Sequence, residues 1–258
     1  MRHLSTDALV LHVFDYSESS RIVRLATREA GVVSALARGA RRPKSRFGSA
    51  LDLFADGVAH LLLKDGRDLH TLAGFDLTHA RPALGGDLER FTGAATLSEL
   101  ALRFSPDDPE GALYAVLTDT LDTLAGASTT YITTAALAGA WRLLAALGFE
   151  PALAECAACH APLAPDDEVP FACRAGGAVC ERCAARALQT RRIPGEARRS
   201  LAAWLAGTPV PPLGAAEARA HQRLLREFVR EHLEDGRPLR AFAVWEHGAW
   251  AERSAEPA

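Results

Sequence analysis

Four of the five cysteines fall in two close pairs, Cys156-x2-Cys159 and Cys180-x2-Cys183, with 20 residues between the pairs. This spacing constrains the chain more than any other feature in it. A C-x-x-C knuckle lets two sulfurs chelate one ion at roughly 2.3 Å, and two knuckles complete a closed tetrahedral shell with no open position for water. The segment is therefore expected to double back on itself and hold one structural zinc ion (Zn2+) on Cys156, Cys159, Cys180 and Cys183, with no catalysis at the metal. A redox-active C-x-x-C is the competing reading, but the surrounding βαβ pattern is lacking. Cys173 is expected as a small core residue and His160 as a solvent-facing side chain, each a substitute ligand if one knuckle were distorted.

Reading paired cysteines as metal ligands presupposes a reducing compartment. The first residues reach Asp7 before any long apolar run and show no small-residue cleavage site, so no signal peptide is expected and the cytoplasm is the expected location. The best membrane candidate, residues 133–149, is interrupted by Arg142 and falls short of the roughly 20 apolar residues a span needs. With 48% hydrophobic and 24% charged residues in 258, the chain is expected to be globular with a sizeable core.

Residues 7–75 read as short strands separated by turns, because apolar and β-branched residues recur in brief runs bounded by Gly, Asp and Ser. Strands are expected at 7–14, 21–27, 32–37, 53–64 and 68–75, with tight turns at Glu29-Ala30-Gly31 and Lys64-Asp65-Gly66-Arg67. Five strands in so short a stretch suit a small closed barrel, an OB-fold first and an SH3-like barrel second. After Arg81-Pro82 the spacing turns helical, with helices expected at 87–104, 110–125 and 130–147, a breaker at 105–109 and a stop at Gly148. Two more helices, 196–206 and 215–233, follow the cysteines. The fold class is thus α+β and multidomain: an OB barrel at 1–80, then a helical domain at 81–153 and 188–250 interrupted by a four-cysteine zinc finger at 154–187, with a frayed tail at 251–258.

A net charge of −3 argues against a generally basic nucleic-acid protein, yet the average conceals a division along the chain. Residues 1–80 hold 11 Lys or Arg against 9 Asp or Glu, residues 81–155 hold 4 against 10, and residues 156–258 hold 14 against 13. The sharpest excess is Arg38-Gly39-Ala40-Arg41-Arg42-Pro43-Lys44-Ser45-Arg46-Phe47-Gly48, five cations without one carboxylate in a loop between strands. Such a loop can fan its cations along a phosphate chain while Phe47 stacks on a base; a solvated basic loop is the plainer alternative. Arg186, Arg191, Arg192, Arg198 and Arg199 form a second basic set after the last knuckle. In the last helix Arg219, Arg223, Arg226 and Arg230 alternate with Glu217, Glu227 and Glu231, the pattern of an exposed face with internal salt bridges.

No P-loop, G-x-G-x-x-G, H-E-x-x-H or G-x-S-x-G is present, so no enzyme is expected. The acidic clusters Asp107-Asp108 and Asp166-Asp167-Glu168 sit in Pro-flanked loops, and Trp141, Trp204, Trp245 and Trp250 are expected as core anchors.

Ala8-Leu9-Val10-Leu11, Asp15-Tyr16-Ser17-Glu18-Ser19 and the run from Ala37 to Gly48 together resemble the opening of the RecO family, bacterial recombination mediators. The order of barrel, helical domain and cysteine knuckles is similar to that family's layout. The resemblance implies an OB-fold that binds single- and double-stranded DNA, anneals complementary strands, and acts with RecR to load RecA onto DNA coated by single-strand binding protein, without covalent chemistry. It places Arg38, Arg41, Arg42, Lys44 and Arg46 on the DNA surface, with Arg191, Arg192, Arg198 and Arg199 as additions. Many family members lack the paired cysteines, so zinc here is expected to hold the carboxy-terminal lobe. The remaining alternative is a zinc-stabilised scaffold whose barrel binds protein rather than DNA.

Overall fold

The computed structural model describes residues 2–48, 50–105, 112–233 and 238–247. They form two compact units, Met1–Gly126 and Ala127–Ala258.

In the first unit, apolar residues at alternate positions drive five strands, β1 (Arg2–Asp15), β2 (Arg21–Thr27), β3 (Gly31–Ala37), β4 (Asp56–Leu63) and β5 (Leu69–His79). They close into a barrel in the order β1-β2-β3-β5-β4, with β4 pairing back onto β1. Its parallel contact joins β3 to β5, from Ser34 opposite Leu69 to Leu36 opposite Thr71, and the whole arrangement is that of the OB-fold. The bore is narrow, so small side chains at Ala8, Ala35, Ala37 and Ala59 alternate with Val10, Val23, Leu25, Leu61 and Leu72. Ala40, Phe47 and Leu51 from the β3–β4 connection join the same core.

Phe47 therefore overturns one expectation. Its ring is only 2% exposed and packs inside the barrel, unable to stack on a base. Burying such a ring stabilises by about 1.5–3 kcal/mol, which wins over leaving it in a cationic loop in water.

Three helices complete this unit: α1 (Pro82–Gly85), α2 (Leu88–Phe104) and α3 (Ala112–Gly126). Asp87 caps α2 by accepting from the Arg90 N–H at 2.9 Å. Because α2 and α3 pack on β1, and α3 on β2, residues 8–11 are buried on both strand faces. Arg81 fixes the junction. Its side chain is 1% exposed, pairs with Asp56 at 2.7 Å and Asp122 at 2.7 Å, and donates from Nη1 to the Phe54 carbonyl at 2.8 Å. Phe54 has φ +66, and it bends the chain away from the fourth strand, which begins at Asp56 rather than at 53. The expected breaker at 105–109 lies, apart from Ser105, outside the described residues.

The second unit contains α4 (Ile132–Ala146), preceded by a 3-10 turn at Thr129–Tyr131, then β6 (Val169–Ala172), β7 (Gly177–Ala178), α5 (Glu181–Ala184), β8 (Arg191–Ile193), α6 (Gly195–Leu205), α7 (Ala215–Leu233) and α8 (Arg240–His247). The former membrane candidate is α4, whose Trp141 is fully buried with its ring 5.2 Å from that of Phe228 in α7. Among the described residues no helix is long and apolar enough to cross a membrane. Trp204 and Trp245 are also buried, whereas Trp250 and the tail lie outside the described residues. The three-stranded sheet β7-β6-β8 and helix α8 carry too short a pattern to be read from sequence. The charged face of α7 differs from expectation: Arg226 pairs with Glu246 of α8, Glu227 with Arg191 of β8, and Glu231 with Arg174. Neighbouring elements flank the helix, so these partners replace internal ones.

The packing boundary at residue 126 also departs from the sequence-based boundaries at 80 and 153. The cause is the Arg81 cluster together with the seating of α2 and α3 on β1, which bind these helices to the barrel.

Arg81→Ala leaves Asp56 buried without its cation and is expected to cost about 3–5 kcal/mol in urea unfolding. Asp122→Asn, half-exposed, should cost under about 1 kcal/mol; equal losses would contradict the role of burial. His221 on α7 is 2% exposed, and burial holds its imidazole down at about 4 from an ordinary 6.5. As pH falls the unfolded chain takes up this proton first, so stability present above 6.5 is lost toward pH 4, by up to about 3 kcal/mol. His221→Phe should flatten that slope in acid unfolding curves, and an unchanged slope would discount this histidine.

Candidate metal centre and nucleic-acid interface

The first knuckle is a tight turn in which the His160 N–H donates to the Cys156 carbonyl at 2.8 Å and the Cys156 N–H to the Ala161 carbonyl at 2.8 Å. His160 closes it in the left-handed region, φ +58, with its ring exposed and 3.1 Å from Glu155. The second knuckle opens α5, with Cys180 at its N-cap and the Cys183 N–H bonded to the Cys180 carbonyl at 3.0 Å.

What brings the knuckles together is the strand pair before them. Ala152 donates to the Gly176 carbonyl at 3.0 Å and accepts from Ala178 at 2.8 Å, while Ala157 donates to the Ala178 carbonyl at 2.8 Å. Gly177 lies between these bonds, and a Cβ there would sit 2.3 Å from the Ala152 carbonyl oxygen, so only glycine allows so close an approach.

The result is that one sulfur from each of Cys156, Cys159, Cys180 and Cys183 lies within 4.8 Å of every other. Cys156 is fully buried and the other three are half-buried. The Cys180 N–H donates to the Cys156 sulfur at 3.3 Å, and Arg182 approaches the Cys159 sulfur at 3.8 Å. Burial pushes the Cys156 thiol up, but N–H donors from Cys180, Ala158 and Cys159 outweigh it and hold the group at about 6. The Ala161 N–H lowers Cys159, whereas its hydrogen bond to Cys159 pushes Cys183 up to about 12. Four thiolates this close repel, and a shared cation relieves that repulsion, so the donor set fits a metal ion. Among the described residues the fully buried core cluster around it consists of Cys156, Ala172 and Val179. Cys173 stands outside the four-sulfur group, half-buried, its thiol pushed up to about 11 by burial.

The basic loop of the first unit is exposed at Arg38, Arg41, Arg42, Lys44 and Arg46. Arg41 differs from the rest: it pairs with Asp15 at 3.5 Å, donates from Nη1 to the Ser17 carbonyl at 3.1 Å, and its backbone N–H donates to the Ser19 carbonyl at 3.1 Å. Arg38, Arg42, Lys44 and Arg46 have no carboxylate partner among the described residues. The Arg46 guanidinium lies over the Phe47 ring, 5.1 Å from its centre.

Four of the five arginines in the second basic set are engaged within their own unit. Arg191 holds both carboxylate oxygens of Glu227, Arg192 bridges Glu168 and Glu181, and Arg199 pairs with Asp166. Arg198 is 3% exposed and donates to the Ala164 carbonyl. Arg191, Arg192 and Arg199 are thus ion-paired at the surface and Arg198 is buried, so these four, unlike Arg38, Arg42, Lys44 and Arg46, already carry partners within the described residues. Arg186 has no carboxylate partner among the described residues and lines a cleft of about 1730 Å³ beside Cys159 and Cys183. Sequence reading passed over the exposed aromatics His12, Phe14 and Tyr16, although their alternate spacing from the end of the first strand into the turn was visible.

A closed OB barrel bearing unpaired cations, on one chain with a helical unit stapled by four cysteines, defines a DNA-repair type of architecture only once relatives are considered. Residues 1–81 match the family model for the recombination protein O N terminal region, and residues 85–241 that for its C terminal region. The chain is 35% identical to the DNA repair protein RecO of Myxococcus xanthus over 93% of this chain and 96% of the relative. It is 36% identical to that of Anaeromyxobacter sp. (strain K), over 93% and 95% respectively, and 31% identical to that of Pelotomaculum thermopropionicum, over 94% and 93%. The chain belongs to the RecO family.

Proposed function

We propose that this chain is a recombination mediator of DNA repair that binds single- and double-stranded DNA, anneals complementary strands, and with RecR helps load RecA onto single strands coated by single-strand binding protein. It works in the cytoplasm, at the nucleoid, and turns over no substrate. The observation that carries the reading is the set of four cations without a carboxylate partner among the described residues, Arg38, Arg42, Lys44 and Arg46, on one loop of an OB barrel in a RecO-family chain. Neutralising the phosphates of two strands at once lowers the repulsion that opposes their pairing. Arg41 positions this loop through Asp15 and Ser17 and need not contact phosphate itself.

Cys156, Cys159, Cys180 and Cys183 would hold a single zinc ion, because four clustered thiolates suit a soft-tolerant cation without redox demands. When bound, zinc supplies a cross-link between the knuckles. The protein's own residues then carry the shape of residues 154–187, whose apolar core is too small to hold it.

Single-strand affinity is expected to fall with salt at a log–log slope of about −3, roughly 50-fold between about 50 and 200 mM. Arg42→Gln should flatten the slope by about 0.7 for single strands. Binding that ignores salt would contradict phosphate contact and favour a barrel that binds protein. Cys156→Ala is expected to take zinc, by metal analysis, from one ion per chain to none and to open the cysteine segment to protease, while single-strand binding stays within about twofold. Complete loss of DNA binding in a still-folded variant would contradict that division of labour.

A further inference from the structure

With Phe47 inside the barrel, the chain still presents aromatic rings beside its cations. Opposite β2, Val10 faces Leu25 and His12 faces Arg24, so Leu11 is an extra residue, a β-bulge. Ahead of the bulge, even-numbered Ala8 and Val10 point into the core; after it, odd-numbered Val13 packs against that core. The bulge therefore turns His12 and Phe14 outward, and Tyr16 follows at the same step in the β1–β2 turn. Phe14 is 41% exposed and Tyr16 61%, and Phe14 borders a shallow hollow of about 360 Å³ with Val13, Leu51 and the exposed Leu53.

These rings belong to the same surface as the basic loop. Arg41 bonds the turn at Ser17 and Ser19 and pairs with Asp15, between Phe14 and Tyr16. Asp15 also pairs with Arg21 at 3.3 Å, so its charge is neutralised on two sides, which leaves Glu18 as the turn's exposed carboxylate.

We propose that Phe14 and Tyr16 stack the bases of single-stranded DNA whose phosphates run along Arg38, Arg42, Lys44 and Arg46. This deepens, and rests on, the DNA-binding reading above. Side chains two apart on a strand stand about 6.6 Å apart. Bases in a duplex are stacked about 3.4 Å apart and sealed by one another, so only an unstacked, extended strand offers bases at this spacing. His12 and Phe14 have ring centres 5.5 Å apart. A base between them would need about twice 3.4 Å, so His12 backs Phe14 and the open ring face receives the base. The unpaired cations alongside favour a polyanion over an apolar protein segment as the occupant.

The test measures affinity of the full-length protein for labelled oligo-dT and for a blunt hairpin duplex, by fluorescence anisotropy across salt. Phe14→Ala and Tyr16→Ala are each expected to weaken oligo-dT binding roughly 5- to 150-fold, with duplex affinity and the salt slope unchanged. Tyr16→Phe should keep wild-type affinity, since the stacking face remains. Tyr16 lies in an exposed turn, so its variant tests the idea even if Phe14→Ala fails to fold. Equal losses for single strand and duplex, or no loss for oligo-dT, would overturn the stacking role while leaving DNA binding intact. Wild-type protein that binds neither probe would overturn both readings, and binding that survives both alanine variants would return the aromatic face to a protein partner.

Discussion

The buried guanidinium of Arg81 sets the geometry of the first unit. Taking an arginine out of water costs several kcal/mol unless its donors are met, and here Asp56, Asp122 and the Phe54 carbonyl meet them. The consequence travels along the backbone. The Phe54 N–H donates to the Val10 carbonyl and the Val10 N–H to the Ala55 carbonyl, both at 2.9 Å, and the β1 bulge begins at the next residue. One ion cluster thus seats the helices on the barrel and fixes where β1 switches its outward face.

Much of this was legible in the residues and some was not, for physical reasons. The second strand, 21–27, and the long helix, 215–233, were readable to the residue because their periodicity is local and uninterrupted. The cysteine group was readable because chelation demands a discrete spacing. Phe47 was misread because the core cluster it joins, with Ala8, Val23 and Leu72, is assembled from residues far away in sequence, and its neighbours in sequence are cations. Arg191, Arg192, Arg198 and Arg199 hid their pairing for the same reason. Their partners Glu227, Glu168, Ala164 and Asp166 lie some 24 to 36 residues distant, and a charge run carries no mark of being already satisfied.

The family models divide the chain between residues 81 and 85, whereas packing divides it after Gly126. Both divisions describe the molecule. Sequence relatedness follows a change from strands to helices, while the packing boundary follows the buried contacts that hold α2 and α3 to β1. The second unit solves a different problem: its cysteine segment has little apolar material of its own, and Phe171 links it to the larger helical core through Phe228, their rings 6.2 Å apart.

The basic loop contains two kinds of arginine that look alike in composition. Arg38 and Arg42 offer charge, which an ammonium on a flexible stem supplies nearly as well. Arg41 offers shape: its fork reaches Asp15 and the Ser17 carbonyl together, and lysine cannot span both with fixed geometry. Arginine-to-lysine exchange should therefore be tolerated at positions 38 and 42 but not at the loop's second basic residue, position 41, where it preserves net charge and loosens the scaffold that presents it.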